Sequence, residues 1–362
     1  MASDQTNLQK DTSLRIQAGT ALARMTAGDS PSLTDILNRS LIQIRSNSSL
    51  KKRQRIGDFE LLDPDFQLVC IWADELNMPP EEVLKRLLQL PNRDSHWKHP
   101  TSLVDGKFET LFIDRQLLPI LRFPPIRGLS IKVLKIQSGI ESAINRIRKI
   151  ENPNKFAQTD CGMLELNLIE ANELETLDCS ANELSFLDLS SAPNLKNLDC
   201  SYNNIASLDL ISVPKLASLD CSGNMLIDID LTSVQYLVVL ECKQNNIRDL
   251  NLSCLPNLEV LVCSENILTD LDLASNDRLV GVDCSQNQLA ILNLDPVPHL
   301  SVLDCDSNKL SSLNLSSVTS LTTLNCSNNL LAKLDIRPVV KLESLEHSPD
   351  TRLIQRPDQY FE

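Results

Sequence analysis

The sequence predicts a solenoid with a curved parallel β-sheet and an extended or tight-turn convex side, preceded by a small N-terminal α-helical domain. Three observations carry this prediction. Cysteine recurs at a constant step of 21 residues from Cys179 to Cys326. Asparagine recurs with the same step from Asn182 to Asn329, and leucine or isoleucine keeps the same phase. A fixed short period of this kind is typical of stacked structural units that share one core.

Each unit reads LxxLDCSxNxLxxLDLSxxPx, and it occurs eight times without an insertion. Leu177 and Cys179 are two residues apart, so they face one side of a strand, whereas Thr176, Asp178 and Ser180 face the other. One unit cannot bury its leucines alone, but stacked units bury one another's. The rest of the unit, about eleven residues, is too short for a two-turn helix with its turns.

The asparagine of each unit lies where the chain must turn inward. A buried side chain such as that of Asn182 can bond to backbone groups of its own unit and of the next one. We therefore expect an asparagine ladder with a structural role. Prolines recur in the return loop, where a fixed φ stiffens the turn; they are Pro193, Pro214, Pro256 and Pro298.

This pattern resembles the bacterial leucine-rich repeats of the 21-residue class, sometimes called IRREKO repeats, and is similar to repeats of the internalin J type. That class has cysteine where other repeats have leucine, and its second half ends in LDL. The resemblance covers residues 174–345 closely and 105–345 loosely. It implies a curved parallel β-solenoid with a concave recognition face, and it does not identify a partner. The chain departs from the surface internalins because no secretion signal or wall anchor is evident.

The chain is predicted to contain five segments. They are a flexible N-terminus at 1–30, a helical domain at 31–100, degenerate repeats and an N-terminal cap at 105–173, eight regular repeats at 174–345, and a C-terminal cap or tail at 346–362. In the second segment we expect a helical face over 36–44 and two helices within DFQLVCIWADELN and MPPEEVLKRLLQL, with Cys70 and Trp72 in the core. A further short helix is expected around 138–150.

Composition and motifs limit the class of function. The net charge of −14 argues against a general nucleic-acid coat, which needs a basic face. The polar start and the absence of a long apolar run predict a cytoplasmic protein without a membrane span, with export as an effector left open. Neither a catalytic histidine motif nor a phosphate-binding glycine loop occurs. We therefore expect no enzyme activity, no cofactor and no small-molecule substrate.

The cysteine row is interpreted as a buried apolar filler. Thiols stacked one per unit, about 4.8 Å apart, cannot converge into a tetrahedral zinc site. Parallel side chains in register also give a poor disulfide dihedral. Free cysteine packs well where two units press closely together. We expect no metal ion at these thiols.

Two columns of acidic residues run along the array. The first lies on the concave face and contains Asp178, Asp199, Asp220, Glu241, Asp283 and Asp304; the second, in the LDL half, contains Asp188, Asp209, Asp230, Asp272 and Asp335. A column of this kind could attract a protein partner with a basic patch, or bind calcium through its oxygens. It could equally be a solvated face whose carboxylates bond to neighbouring Ser and Asn. The sequence leaves these interpretations open.

Breaks in the repeat consensus place apolar residues on the concave face. The residues concerned are Val239, Val260, Val262 and Val302, with Glu241 and Lys243 beside them and Gly281 next to them. A small apolar patch with a charged rim is typical of a protein-binding hot spot. The alternative is that β-branched residues merely suit strands. We predict partner binding at these positions.

These features favour a protein–protein interaction scaffold that binds a partner on the concave face. One alternative is a secreted bacterial effector that binds a host protein, which the Ser/Thr-rich start permits. A second is a DNA-associated regulator that acts through the N-terminal helices, although their acidic residues argue against it. The basic run Lys51, Lys52, Arg53 and Arg55 precedes those helices. It could meet phosphate or an acidic surface, and the favoured interpretation is a solvated linker.

Overall fold

The structure is a computed structural model, and it describes residues 53–56, 59–88, 102–104, 107–114, 122–123, 131, 133–137, 165–166, 168, 171–359 and 361. The expected features at 1–30, 36–44 and 138–150 lie outside these residues. The chain divides into an N-terminal unit, residues 1–171 with 179–183, and an array unit, residues 172–178 with 184–362.

The described part of the N-terminal unit begins with a hairpin and two helices. Strand β1 (Arg53–Ile56) pairs antiparallel with β2 (Phe59–Leu62). Helices α1 (Asp63–Glu75) and α2 (Pro80–Leu88) follow. Helix α2 begins at a proline, with acidic residues in its first turn and basic residues in its last, which suits the helix dipole.

Two expectations for this unit are wrong. Arg53 and Arg55 lie in strand β1, so the basic run is not simply a linker; its two lysines lie outside the described residues. Cys70 is partly exposed, whereas Trp72 is fully buried. Residues two apart on a helix point about 200° from each other, so these two side chains cannot share the core face.

Further along the N-terminal unit the described residues contain five strands of two to eight residues. They are β3 (Ser102–Val104), β4 (Lys107–Asp114), β5 (Arg122–Phe123), β6 (Val133–Gln137) and β7 (Glu165–Leu166). Strand β3 pairs antiparallel with β4, while β4 pairs in parallel with β6 and β5 with β7. The buried Leu111 lies opposite the buried Leu134, so parallel pairing of leucine-bearing strands occurs upstream of the regular repeats as well.

The array unit is built on short parallel strands in strict register. They are β8 (Thr176–Asp178), β9 (Asn197–Asp199), β10 (Ser218–Asp220), β11 (Val239–Glu241), β12 (Val260–Val262), β13 (Gly281–Asp283), β14 (Val302–Asp304), β15 (Thr323–Asn325), β16 (Lys333–Asp335), β17 (Ser344–Glu346) and β18 (Arg352–Ile354). Strands β8 to β15 and then β17 pair in chain order, and β16 pairs with β18. Each residue lies opposite its equivalent in the next repeat, which confirms the predicted parallel solenoid.

Leucine and cysteine fill the core of the array. Leu240 and Cys242, two residues apart, are both fully buried, as the alternation of a strand requires. Burial is the main cause that raises the pKa of the Cys242 thiol to about 12, so this thiol stays protonated and unreactive at neutral pH. The cysteine therefore packs as a small apolar side chain.

The return side of each repeat contains turns and extended segments, and the described residues 171–359 contain no helix. In one repeat the amide of Val213 donates to the carbonyl of Leu210 at 3.1 Å, and the amide of Leu216 donates to the carbonyl of Val213 at 3.1 Å. Two successive tight turns thus reverse the chain, as the short repeat length predicts.

The asparagine ladder is present, although the side chain of Asn245 bonds to the preceding repeat and not to the next one as expected. The Nδ2 of Asn245 donates to the carbonyls of Cys221 and Cys242, both at 3.1 Å, and its Oδ1 accepts the amide of Leu226 at 3.0 Å. One buried side chain therefore ties its own repeat to the preceding one and satisfies backbone groups that no strand partner reaches. This ladder holds consecutive strands in register and so fixes the positions of the side chains on the outer face of the sheet.

Candidate protein-interaction face

The sheet has an outer face, here called the strand face, formed by the side chains that alternate with the buried leucines. Because the register is strict, equivalent residues form columns. The first column is Thr176, Asn197, Ser218, Val239, Val260, Gly281, Val302, Thr323 and Ser344; the second is Asp178, Asp199, Asp220, Glu241, Val262, Asp283, Asp304, Asn325 and Glu346. The second column contains all the predicted acidic residues of the concave face.

Carboxylates of the second column bond to the turn that follows their strand. The Oδ1 atoms of Asp199 and Asp283 each accept the amide and the hydroxyl of the serine two residues later, with hydroxyl distances of 2.6 Å. Asp220 and Asp304 accept the corresponding amides at 3.0 Å. Such bonds hold the chain in the turn that leads to the ladder asparagine, so these aspartates have a structural role.

Acidic residues of the LDL half make the same contact on the other side of the repeat. Asp188, Asp209, Asp230, Asp272 and Asp335 each accept the amide two residues later. These carboxylates are largely solvated. Both columns thus match the interpretation in which the carboxylates bond to neighbouring groups of the chain. A carboxylate with one such hydrogen bond can still accept further hydrogen bonds from a partner.

Negative charge is concentrated at the first strands of the second column. Asp199 lies in register between Asp178 and Asp220. Burial, followed by the charges of these two neighbours, raises the pKa of Asp199 well above its usual range. Burial and the neighbouring Asp283 likewise raise the pKa of Asp304. A cationic side chain placed against this column would relieve the repulsion between the carboxylates.

The predicted apolar positions come together across four strands. Val239 lies opposite Val260, and Gly281 lies between Val260 and Val302. Val262 interrupts the acidic column between Glu241 and Asp283. Within the described residues, no group of three or more His, Cys, Asp or Glu side chains is arranged to hold a metal ion.

The exposure of these valines differs from the prediction at one position. Val239 is only 6% exposed, so it is part of the packed sheet and offers little surface to a partner. Its neighbours in the column, Ser218 and Val260, lie about 4.8 Å away on each side. Val260 and Val262 are partly exposed, and Val302 is 45% exposed. Glu241 and Lys243, expected at the rim, are both partly buried.

Exposed apolar residues also precede the strands, and the consensus did not single them out. Val280 is 45% exposed and Tyr236 is 67% exposed. The carbonyl of Val280 accepts the amides of Ser301 and Val302 at 2.8 and 3.1 Å, which places Val280 beside the first column. The sequence did contain a signal for Val280, because most equivalent positions carry polar residues such as Glu175. We call Val260, Val262 and Val302 of the strand face, together with the exposed Val280 that precedes β13, the valine patch.

Comparisons with known proteins agree on the type of repeat. Residues 193–233 match a family model described as leucine-rich repeats in two copies. Sequence comparison with curated proteins finds no match. Among solved structures, a leucine-rich-repeat protein from Leptospira interrogans is similar over 65% of this chain and 66% of its own, with 21% identity and a TM-score of 0.52. The array is therefore a leucine-rich-repeat solenoid.

Two further solved structures are similar in part. A chain of the LRIM1/APL1C complex matches over 65% of this chain and 43% of its own, with 21% identity and a TM-score of 0.51. The functional domain of InlJ from Listeria monocytogenes, which includes a cysteine ladder, matches over 62% of this chain and 59% of its own, with 26% identity and a TM-score of 0.45. The chain spans less than two thirds of each of these relatives. The assignment to the 21-residue class rests on the sequence pattern.

No helix among the described residues combines the length and the apolar character that crossing a bilayer requires.

Proposed function

We propose that this leucine-rich-repeat chain is a protein-interaction scaffold that binds a protein partner on the strand face of its array. Leucine-rich-repeat proteins generally serve as interaction scaffolds. The observation that supports this site is the valine patch, where partly exposed aliphatic side chains replace the polar residues found in most repeats. Clustered apolar side chains rimmed by charge are typical of hot spots in protein interfaces.

The supporting framework is stiff. Every strand of the face is bonded to its neighbours, and the ladder asparagines tie consecutive repeats together. A preorganised surface loses little conformational entropy on association, which favours specific binding. The sheet can therefore present the valine patch to a partner without first having to become ordered.

Charge favours a partner with a basic patch. The acidic column runs beside the valine patch, and the chain carries a net charge of −14. Complementary charge increases the rate of encounter and disfavours acidic partners. The proposal assigns the chain no catalytic role, no cofactor and no small-molecule substrate, and it places the protein in the cytoplasm. The resemblance of the repeats points to a bacterial protein.

Cross-linking mass spectrometry in native lysate tests this proposal. A carboxyl-reactive cross-linker should join partner peptides to Glu241, Asp283 and Asp304 of the strand face. It should join few or none to Asp230 and Asp272, which lie on the other half of the repeat and are more exposed than the three strand-face carboxylates. Cross-links concentrated on Asp230 and Asp272, or spread evenly over both columns, would place the interaction elsewhere.

A further inference from the structure

Gly281 leaves a gap in the first column of the strand face. A Cβ atom built at this residue would meet no heavy atom within 4 Å. Its neighbours in the column, Val260 and Val302, carry branched side chains. They stand two strand spacings apart, which is about 9.6 Å. The space between them is wide enough for one aliphatic side chain, and we call it the Gly281 notch.

Apolar side chains line the notch. Val260 and Val302 form two walls, and Val280, 45% exposed, precedes Gly281 in the chain. The backbone of Gly281 forms the floor, and its amide is already used, since it donates to the carbonyl of Glu259 at 3.2 Å. An aliphatic side chain that entered from a partner would lose water contact on several sides without leaving a polar group of the floor unpaired.

The strands that form the notch carry charged side chains of one sign only. In the stretches 259–264, 280–285 and 301–306 the charged side chains are Glu259, Asp283, Asp304 and Asp306. Arg278 and His299 lie outside these stretches, in the turns that precede β13 and β14. A side chain seated in the notch would therefore have carboxylates on both sides, which favours lysine or arginine as its neighbours in the partner.

We propose that the Gly281 notch receives one aliphatic side chain from a basic segment of the protein partner. The inference rests on the proposed function, because it specifies how the strand face recognises its partner. The aliphatic residue supplies buried apolar area, and the flanking lysines or arginines contact Asp283, Asp304 or Glu259. Glycine is suited to this position because any side chain there would occupy the notch.

A variant that fills the notch separates recognition from folding. The backbone at Gly281 does not have a positive φ, so a side chain brings no backbone strain. Valine suits the middle of a sheet better than glycine does. Gly281→Val should therefore leave the melting temperature of the full chain unchanged or higher, while it blocks the notch. Gly281→Ala should block it in part. Ser344→Val adds the same side chain to the same column at β17 and is the matched control.

The probe is a phage-displayed library of linear peptides selected on the full wild-type chain. We expect the enriched peptides to share one Leu, Ile or Met flanked by Lys or Arg. Synthetic copies should bind Gly281→Val at least tenfold more weakly than wild type, and Ser344→Val with unchanged affinity. Asp283→Asn, which keeps the turn bonds but removes a charge, should weaken binding severalfold at low salt and less at high salt.

The outcomes distinguish the notch from the strand face as a whole. Selected peptides that bind Gly281→Val as tightly as wild type, yet lose affinity for Val260→Asp, would overturn the notch and leave the proposed face in place. Peptides that bind both variants as tightly as wild type would overturn the proposed face as well. A selection that enriches no basic peptide with an aliphatic residue also overturns the inference.

Discussion

The aromatic ring of Tyr202 lies directly over Gly223, so that a Cβ atom added to Gly223 would lie 2.6 Å from the Cδ1 atom of Tyr202. Gly223 also has a left-handed backbone, with φ of +63°. Seven equivalent residues have a positive φ without being glycine; they are Ala181, Tyr202, Gln244, Glu265, Gln286, Ser307 and Asn328. Each of the eight regular repeats thus has a left-handed residue at this point of its turn, and among these eight residues only Gly223 is a glycine.

Gly223→Ala should lower the free energy of unfolding of the array by about 1–2 kcal/mol, because the methyl group meets the ring and the left-handed backbone disfavours alanine. Chemical denaturation of the full chain measures this. The equivalent residue of the next repeat, Gln244, already carries a side chain. Gln244→Ala is therefore the control and should change stability by less than about 0.5 kcal/mol. Adding Tyr202→Ala to Gly223→Ala should recover the part of the stability loss that is caused by the clash between the methyl group and the ring. If the effects of the two substitutions are simply additive, this explanation is contradicted.

Removal of one ladder asparagine should destabilise the array strongly. Asn245→Ala deletes three donor contacts, to the carbonyls of Cys221, Cys242 and Lys243, and leaves the amide of Leu226 without its acceptor. Buried groups that lose their partners cost about 1–3 kcal/mol each, so we expect a loss of about 2–4 kcal/mol in urea denaturation. The neighbouring Asn246 has an exposed side chain. Asn246→Ala is therefore the control and should have little effect; equal effects of the two variants would argue against the ladder.

The pH dependence of stability should reflect Asp199. Its pKa is raised in the folded chain by burial and by Asp178 and Asp220, so the folded state holds this proton to a higher pH than the unfolded state does. Asp199 therefore lowers stability as pH rises through the interval between its unfolded pKa and its folded pKa. Asp199→Asn should stabilise the array at pH 7 by about 1 kcal/mol, since like charges in register repel.

The same variant should lose most of its advantage as the pH falls below about 4, because the carboxyl group then becomes protonated in the unfolded state as well. Asparagine preserves the turn bond, as Asn325 accepts the amide of Ser327 at 3.2 Å in the same column. Thermal melts of both proteins from about pH 3 to pH 8 measure the difference, with the exposed Asp270→Asn as control. A difference that does not change with pH would show that repulsion at Asp199 does not affect stability.

Thiol labelling should separate the ladder cysteines from Cys254. The Cys242 thiol is buried and has a pKa of about 12, so about one thiol in ten thousand is ionised at pH 8. Cys254 is partly exposed. With N-ethylmaleimide at pH 8, peptide mass spectrometry should detect the label at Cys254 well before Cys242, and at both within minutes in urea. Rapid labelling of Cys242 in the folded chain would contradict the packed ladder.

The sequence predicted those features of the fold that repeat. Leu177, Cys179 and Asn182 recur with a constant step, and a periodic pattern of buried residues has few solutions other than stacked repeats. The strands, their register, the thiol core and the ladder all follow from that pattern. The assignment of valines and aspartates to one face also follows, because alternation along a strand is strict.

Features that depend on neighbouring side chains were not predicted. Val239 is buried although Val302 is exposed. Val239 lies between Ser218 and Val260, whereas Val302 has Gly281, which has no side chain, on one side. Asn276 is fully buried where equivalent positions carry Val213 or Val234, and its Nδ2 donates to the carbonyls of Leu252 and Leu255. A periodic consensus predicts on which face a residue lies, but it does not predict how much space the neighbouring side chains leave around that residue.

Partner binding by a paired variant of the strand face tests the central claim most directly. Val260→Asp with Val262→Asp places two charges in the valine patch. Ala290→Asp with Ile291→Asp places two charges on an exposed apolar site outside the strand, where Ile291 is 74% exposed. With the partner identified by cross-linking, titration calorimetry should show that the first pair weakens binding at least a hundredfold and that the second leaves it unchanged. Unchanged binding by the first pair, in a chain that melts like the wild type, would contradict the claim that the strand face is the docking surface.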